Sequence, residues 1–255
     1  MKPLCLSIGG LDPSAGAGIL LDIKVFSELE VHGFAVASVL TAQSTDKVYD
    51  SCTVEDSIFL EQFKRIFENY QINAIKIGLI TATQIALLLE LEDFHAIPHR
   101  IVDPIISSSS GHRFIEGKEL MPLLGASTLV LPNYLEALDL LGISQDHSLT
   151  EEQIAIHLRE ALMCQAVLLK GGHLNTATDI LSTRDGITKD IIGTVARSSM
   201  EVHGTGCLLS SAITAYLSRG FDLKAAITQA KKYLSQKLDE AHKITRDRKY
   251  RFSFE

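Results

Sequence analysis

The sequence predicts an α/β fold of three layers, α/β/α, with a mostly parallel central sheet held between helices. Three observations predict it. Short apolar runs rich in branched residues alternate with longer amphipathic ones along the chain, the order that builds parallel β-α-β units. The short runs carry no polar face, which suits strands covered by helices on both sides. Finally, 255 residues at 46% hydrophobic content supply a sizeable core, and no repeat, low-complexity tract or Pro/Gly-rich linker divides them. Residues 1–255 are therefore expected to form one domain.

Taken in order, the first strand is Leu4–Ile8, followed by a glycine-crowded turn and a helix over Ala17–Leu29. In that helix Ile19, Ile23, Phe26 and Leu29 share a stripe, with Asp22 and Lys24 off it. Phe34–Leu40 reads as the second strand and Ile58–Tyr70 as the next helix. Strands at Ala74–Ile77 and Arg100–Val102 bracket a helix at Ala82–Leu91. Strand Thr128–Leu131 precedes helices Tyr134–Leu141 and Glu151–Met163, the latter opened by Thr150 as N-cap with two acids in the first turn. Ala166–Leu169 is a further buried strand, and the last third holds helices at Cys207–Ser218 and Leu223–Ala241. In such sheets ligands bind beyond the carboxyl ends of the strands.

The charge balance excludes some functions. With 24 Lys+Arg against 31 Asp+Glu the net charge is −7, unsuited to a dedicated nucleic-acid binder. A basic C-terminal stretch (Lys243, Arg246, Arg248, Lys249, Arg251) is better explained as a solvated helix end than as a nucleic-acid patch. Four scattered cysteines without a CxxC pair or metal spacing argue against a disulfide framework and for a reducing, cytoplasmic setting. The densest apolar stretch, Ile85–Leu91, falls far short of the ~20 residues that span a bilayer. No membrane association is expected.

Four segments carry chemistry. In His203-Gly204-Thr205-Gly206-Cys207 two glycines flank a Thr and open directly onto an apolar helix, aiming several N–H groups at an anion, a phosphate or a phosphoryl group in transfer. Cys207 lies in the first turn, where the dipole is expected to favour the thiolate; a tight turn with Cys207 as a small hydrophobe fits the same residues. Gly9-Gly10-Leu11-Asp12-Pro13-Ser14-Ala15-Gly16-Ala17-Gly18 allows close backbone approach, yet it is neither a Walker A loop nor a dinucleotide fingerprint. Asn133 and Glu136 share one side of a first helical turn, and Glu136 with Asp103 suits a hydrated Mg²⁺; each also suits a cap or turn. Lys170-Gly171-Gly172-His173 leaves a buried strand, so that Lys170 either meets a phosphate as a point charge or is solvated.

Together these segments resemble the ribokinase superfamily, and within it the hydroxymethylpyrimidine/phosphomethylpyrimidine kinases of thiamin biosynthesis. The resemblance covers nearly the whole chain through Gly10–Ile19 with Asp22 and Lys24, Thr41-Ala42-Gln43, Lys76-Ile77-Gly78-Leu79, Asn133-x-x-Glu136, Lys170-Gly171-Gly172-His173 and His203–Cys207, in that order. It implies a ribokinase-like fold and ATP-dependent phosphorylation of 4-amino-5-hydroxymethyl-2-methylpyrimidine, then of its monophosphate. It further implies that Gly204, Thr205 and Gly206 form an anion hole and that Cys207 stands where most relatives use an Asp base. Asp103 and Glu136 would organise Mg²⁺; Lys170, His203 and Thr205 would meet nucleotide or phosphate; Gly10, Asp22, Gln43, Leu79 and Ile106 would contact the substrate. A homodimer is expected on the same ground. The Gln43 amide, with one acceptor and two donors, matches an exocyclic amine beside a ring nitrogen, whereas pyridoxal kinases tend to put an apolar residue there. Pyridoxal kinase and a non-catalytic pyrimidine binder remain the alternatives. The chain departs from the family pattern at Leu11, at Ala15 in place of a Gly, in the serine-rich run Ser107–Ser110, at Leu208 and in its C-terminal tail.

Overall fold

The computed structural model describes residues 2–44, 47–107, 111, 113–171, 179–188, 202–242 and 251–254. The chain enters on β1 (Leu4–Leu11), turns into α1 (Gly18–Glu28) and returns as β2 (His32–Gln43), parallel to β1 with Leu6 opposite Phe34. β3 (Val48–Thr53) folds back antiparallel on β2. Helix α2 (Asp56–Phe67) leads to β4 (Ala74–Ile77), and α3 (Ala82–Leu89) and α4 (Glu92–Ala96) lead to β5 (His99–Val102). Helix α5 (Gly117–Gly125) precedes β6 (Leu129–Val130); α6 (Tyr134–Leu141) and α7 (Glu151–Leu162) precede β7 (Ala166–Leu169). Two antiparallel strands, β8 (Ile180–Thr183) and β9 (Gly186–Thr188), extend that edge before α8 (Thr205–Ser218) and α9 (Leu223–Asp239). Among the described residues the sheet has nine strands, in the order β3-β2-β1-β4-β5-β6-β7-β8-β9.

Period-two alternation sorts the central strands between two cores. Leu6, Ile8, Ile75, Ile77 and Val102 face a core shared with α2, α3, α5, α6 and α7. Cys5, Ala74 and Ile101 face the other, made with α1, α8 and α9. Full burial of each such aliphatic side chain contributes about 1.5–3 kcal/mol. The alternation also sends Ser7 and Lys76, register partners on β1 and β4, to the α1–α8 face. Polar groups on that face need partners, and the helices supply them.

The expected strands and helices are present, with shifted ends. The strands not expected from the sequence are β3, β8 and β9, all antiparallel and outside the parallel core. β3 is half polar because it borders solvent, with Tyr49 70% exposed. Helix α5 was hidden by Pro122 in its interior, which a short helix tolerates here behind a capping box between Glu116 and Glu119. Thr150 caps α7 as expected, its side chain accepting from the Gln153 N–H.

The ends of β5, β6 and β7 lie side by side. Asp103 N–H donates to Ile77 O, and Lys170 N–H donates to Pro132 O, while Asn133 and Lys170 form an isolated parallel bridge. This lines Asp103, Asn133 and Lys170 along the carboxyl edge of the sheet, beneath the start of α8.

Candidate active site

Asp12 organises the turn between β1 and α1. Its carboxylate accepts from Ser14 N–H at 2.8 Å, Ser14 Oγ at 2.8 Å and Ala17 N–H at 2.9 Å. It also accepts from His203 Nε2 at 3.2 Å and from the Gln43 side chain. Burial would raise its pKa, but the bonds from His203, Gln43 and Ser14 outweigh burial and bring it down to about 2. One side chain thus ties the glycine-rich turn to the end of β2 and to the turn before α8.

That second turn is seated closely on the first. Gly204 has φ +86, and a Cβ there would lie 2.0 Å from Gly16 O, so only glycine fits. Gly204 is also the N-cap of α8 and offers no capping side chain. The first N–H groups of the helix, from Thr205 onward, are therefore left to an outside acceptor. A Cβ at Gly206 would sit 3.5 Å from both Asp103 Oδ2 and Lys170 Nζ, which puts the amides beside that ion pair.

Lys170 Nζ donates to Asp103 Oδ1 at 2.6 Å, and Ser210 Oγ donates to Asp103 Oδ2 at 3.3 Å. Glu136 closes the capping box of α6, its Oε2 accepting from Asn133 N–H at 2.7 Å. Burial first, and the neighbouring Asp103, push its carboxyl up to about 7 in spite of Lys170. Burial works against the charge on Lys170, but Asp103 and Glu136 hold its pKa above the ordinary value. The cluster has the sign and donor types for a triphosphate with its hydrated cation: one ammonium, helix amides and one carboxylate poorly neutralised by its neighbours.

Cys207 is buried, 8% exposed. Its Sγ accepts the Gly18 N–H, at the first residue of α1. One helical turn further on, Ser211 Oγ donates to Asp22 Oδ1 at 2.6 Å. Asp22 Oδ2 takes Lys76 Nζ at 2.8 Å and Ser7 Oγ at 2.6 Å. Burial pushes the Cys207 thiol up to about 11; Lys76 and the Gly18 N–H oppose that shift, while Asp22 and Asp103 add to it.

These facts correct several expectations. The helix dipole was expected to favour the Cys207 thiolate; removal of the sulfur from water outweighs it, and Cys207 rests as a thiol. Asp22, expected to touch substrate, is fully buried with its oxygens held by Ser7, Ser211 and Lys76. Ile106 is 3% exposed and packs into the α2–α7 core, so its side chain serves packing in place of ligand contact. Asp103 is buried and engaged by Lys170 and Ser210, and Glu136 by the Asn133 N–H. His203, expected to meet phosphate, joins two turns through its Nε2 and Asp12. Gly10 and Leu79 do meet, a Cβ on Gly10 coming 3.1 Å from the Leu79 side chain. Gly172, His173, Ser108–Ser110 and most of the basic tail, 243–250, lie outside the described residues.

The sequence motifs contain Asp12 and Lys76 but assign them no role, and Ser210 and Ser211 lie outside them. Lys76 stood in view, a cation between Ile75 and Ile77 in a buried strand. The two serines interrupt an otherwise apolar helix, and Asp12 precedes the Pro-Ser of the glycine-rich turn.

Comparison with known proteins decides among the folds that share such a site. The family model described as phosphomethylpyrimidine kinase matches residues 12–250. The chain belongs to the phosphomethylpyrimidine kinase family. Within that family, the hydroxymethylpyrimidine/phosphomethylpyrimidine kinase of Salmonella typhimurium is 34% identical over 92% of this chain and 91% of its own. The crystal structure of phosphomethylpyrimidine kinase from Clostridium difficile has a TM-score of 0.78 at 29% identity, covering 93% of this chain and all of that one. The pyridoxal kinase of Staphylococcus aureus in complex with ADP superposes with a TM-score of 0.85 at 25% identity, over 99% of this chain and 93% of that one. The three-layer fold is thus that of the ribokinase-like kinases. Among the described residues, no helix is long and apolar enough to cross a membrane, all four cysteines are free, and no group of three or more His, Cys, Asp or Glu could hold a metal.

Proposed function

We propose that this protein transfers the γ-phosphoryl group of ATP to the 5-hydroxymethyl group of 4-amino-5-hydroxymethyl-2-methylpyrimidine, and then to the monophosphate so formed. The observation that carries the reading is the uncapped start of α8 facing the Asp103–Lys170 pair, in a chain of the phosphomethylpyrimidine kinase family. Phosphoryl transfer asks a protein mainly for positioning and charge stabilisation. The amides of Thr205, Gly206 and Cys207 supply donors for the equatorial oxygens of the phosphoryl group, and Lys170 supplies a point charge. Magnesium enters with ATP as part of that substrate, and Glu136 is the carboxylate suited to its water shell.

In the transfer, the acceptor O–H bond breaks and its oxygen bonds to phosphorus. The bond from phosphorus to the bridging oxygen of ATP breaks, its electron pair leaving with ADP. The hydroxyl proton passes to Cys207 Sγ, whose own proton has first left to bulk water. Because Cys207 rests as a thiol, turnover by this route rises with pH through neutrality.

A second reading, phosphorylation of pyridoxal, is favoured by the likeness to the S. aureus pyridoxal kinase. The Gln43 amide favours the pyrimidine. Asp12 holds one of its N–H groups, and the second N–H and the carbonyl match the ring nitrogen and the exocyclic amine. A non-catalytic binder would have no use for Lys170, Glu136 and the Gly204–Cys207 turn together. The cytoplasm suits four free thiols, and a homodimer suits the exposed Leu40 and Tyr49 on the β2–β3 edge.

Incubation with each alcohol and Mg·ATP, with products resolved by mass, tests the reading. Mono- and pyrophosphate of the pyrimidine are expected, with a higher kcat/KM for the pyrimidine alcohol than for pyridoxal. Preference for pyridoxal would support the second reading, and binding without ADP formation the third.

A further inference from the structure

Two rungs join α1 to α8. On the first, Gly18 N–H donates to Cys207 Sγ; on the second, Ser211 Oγ donates to Asp22 at 2.6 Å. The rungs are four residues apart on each helix, so Asp22 lies one turn below the thiol. Beneath the second rung, Lys76 rises from β4 and meets Asp22 at 2.8 Å, with Ser7 of β1 bound to the same oxygen at 2.6 Å. Lys76 is 1% exposed and Asp22 fully buried. Such a pair is weak evidence for stability, since well-packed apolar side chains of similar volume commonly do as well. Its position offers another use. Lys76 is a fixed cation in a water-poor space shared with Cys207, where charges act over longer distances than in water.

We propose that Lys76 and Asp22 are positioning residues that set the ionisation of Cys207 in opposite directions: Lys76 is the counter-charge for the sulfur when its proton leaves, and Asp22 both holds that ammonium in place and restrains its effect. The proposal rests on Cys207 as the group that receives the acceptor proton. The charged groups facing the sulfur are Lys76 from β4, Asp22 from α1, Asp103 after β5 and Lys170 after β7. Both ion pairs are close, at 2.8 Å and 2.6 Å, and of these groups Lys76 and then Asp22 act on the sulfur most strongly and with opposite sign. Burial works against the charge on Lys76, but Asp22, Cys207 and Asp103 hold its pKa above the ordinary value, which keeps the cation present over the working range of pH. The same pair accounts for Ser211 and Ser7, which keep the carboxylate turned towards Lys76.

The test compares wild type, Lys76→Met, Lys76→Arg and Asp22→Asn. The rate of Cys207 modification by methyl methanethiosulfonate is followed against pH by peptide mass, alongside kcat and KM with the pyrimidine alcohol and Mg·ATP. The proposal expects the modification midpoint to rise by roughly one unit or more in Lys76→Met, about a tenfold loss of thiolate at fixed pH. It expects the midpoint to fall in Asp22→Asn and to stay near wild type in Lys76→Arg. The alkaline rise of kcat should follow each shift while KM changes little. Should Lys76→Met not fold, the downward shift in Asp22→Asn, which preserves side-chain shape, carries the test. Midpoints that do not move, or that move the same way in the Met and Asn variants, overturn the proposal, since a merely structural pair has no reason to give opposite signs. Opposite shifts in modification with unmoved kcat profiles would uphold the charge coupling and overturn the proton-accepting role of Cys207.

Discussion

His203 Nε2 lies 3.2 Å from Asp12 Oδ2, joining residues 191 positions apart in the chain. The bond locks the turn that opens α8 onto the turn that opens α1. The α8 amides proposed to hold the phosphoryl group are thereby positioned by a carboxylate that has no part in the proposed transfer.

Asp12→Asn should therefore destabilise the fold in a pH-dependent way. The folded-state pKa, about 2, is depressed below the ordinary 3.8. A depressed carboxyl contributes stability above its unfolded pKa and loses it as pH falls through the folded value. At pH 7 the variant should be less stable by about 2 kcal/mol, with the gap closing between roughly pH 4 and pH 2. Urea unfolding midpoints across that range check this; a constant gap would assign the loss to altered packing.

Ala15 has φ +54 in the same turn, a left-handed conformation that suits Gly. A Cβ in the left-handed region costs about 1–2 kcal/mol, and the extra freedom of unfolded glycine returns about 0.4–1 kcal/mol of that. Ala15→Gly should raise the melting temperature by about 1–4 °C and leave kcat near wild type. Calorimetry checks it, and a lowered melting temperature would show that the backbone is not strained there.

Gln43→Leu removes the amide that suits the aminopyrimidine edge. Loss of the paired hydrogen bonds should lower kcat/KM for the pyrimidine alcohol by about 10–100-fold, with a smaller loss for pyridoxal. The ratio of the two specificity constants is the measurement. Equal losses would mean that Gln43 acts through Asp12 and the loop alone.

Much of the fold was legible in the sequence because buried parallel strands must be apolar throughout. Leu6, Ile75, Ile101 and Val167 mark them plainly. Strand Val48–Thr53, outside the parallel core, escaped because exposed residues stand on both its faces and the apolar alternation is lost. Of the site, the glycine-bounded turn at Gly204–Gly206, Lys170 and Glu136 could be read locally, since each stands just after a strand or before a helix. The roles of Asp12, Asp22 and Lys76 could not. They depend on which distant side chain each carboxylate or ammonium meets, and on burial, which reversed the expected effect of the helix dipole on Cys207.

The most direct measurement is the single-turnover rate of phosphate transfer to the hydroxymethylpyrimidine, from pH 6 to 10, in wild type and Cys207→Ala. If the Cys207 sulfur receives the acceptor proton, the wild-type rate climbs with pH and the variant is slower by at least about 10²-fold, with its alkaline rise lost and its KM within a few-fold. A variant that transfers phosphate as fast as wild type, with the same pH profile, would contradict the account.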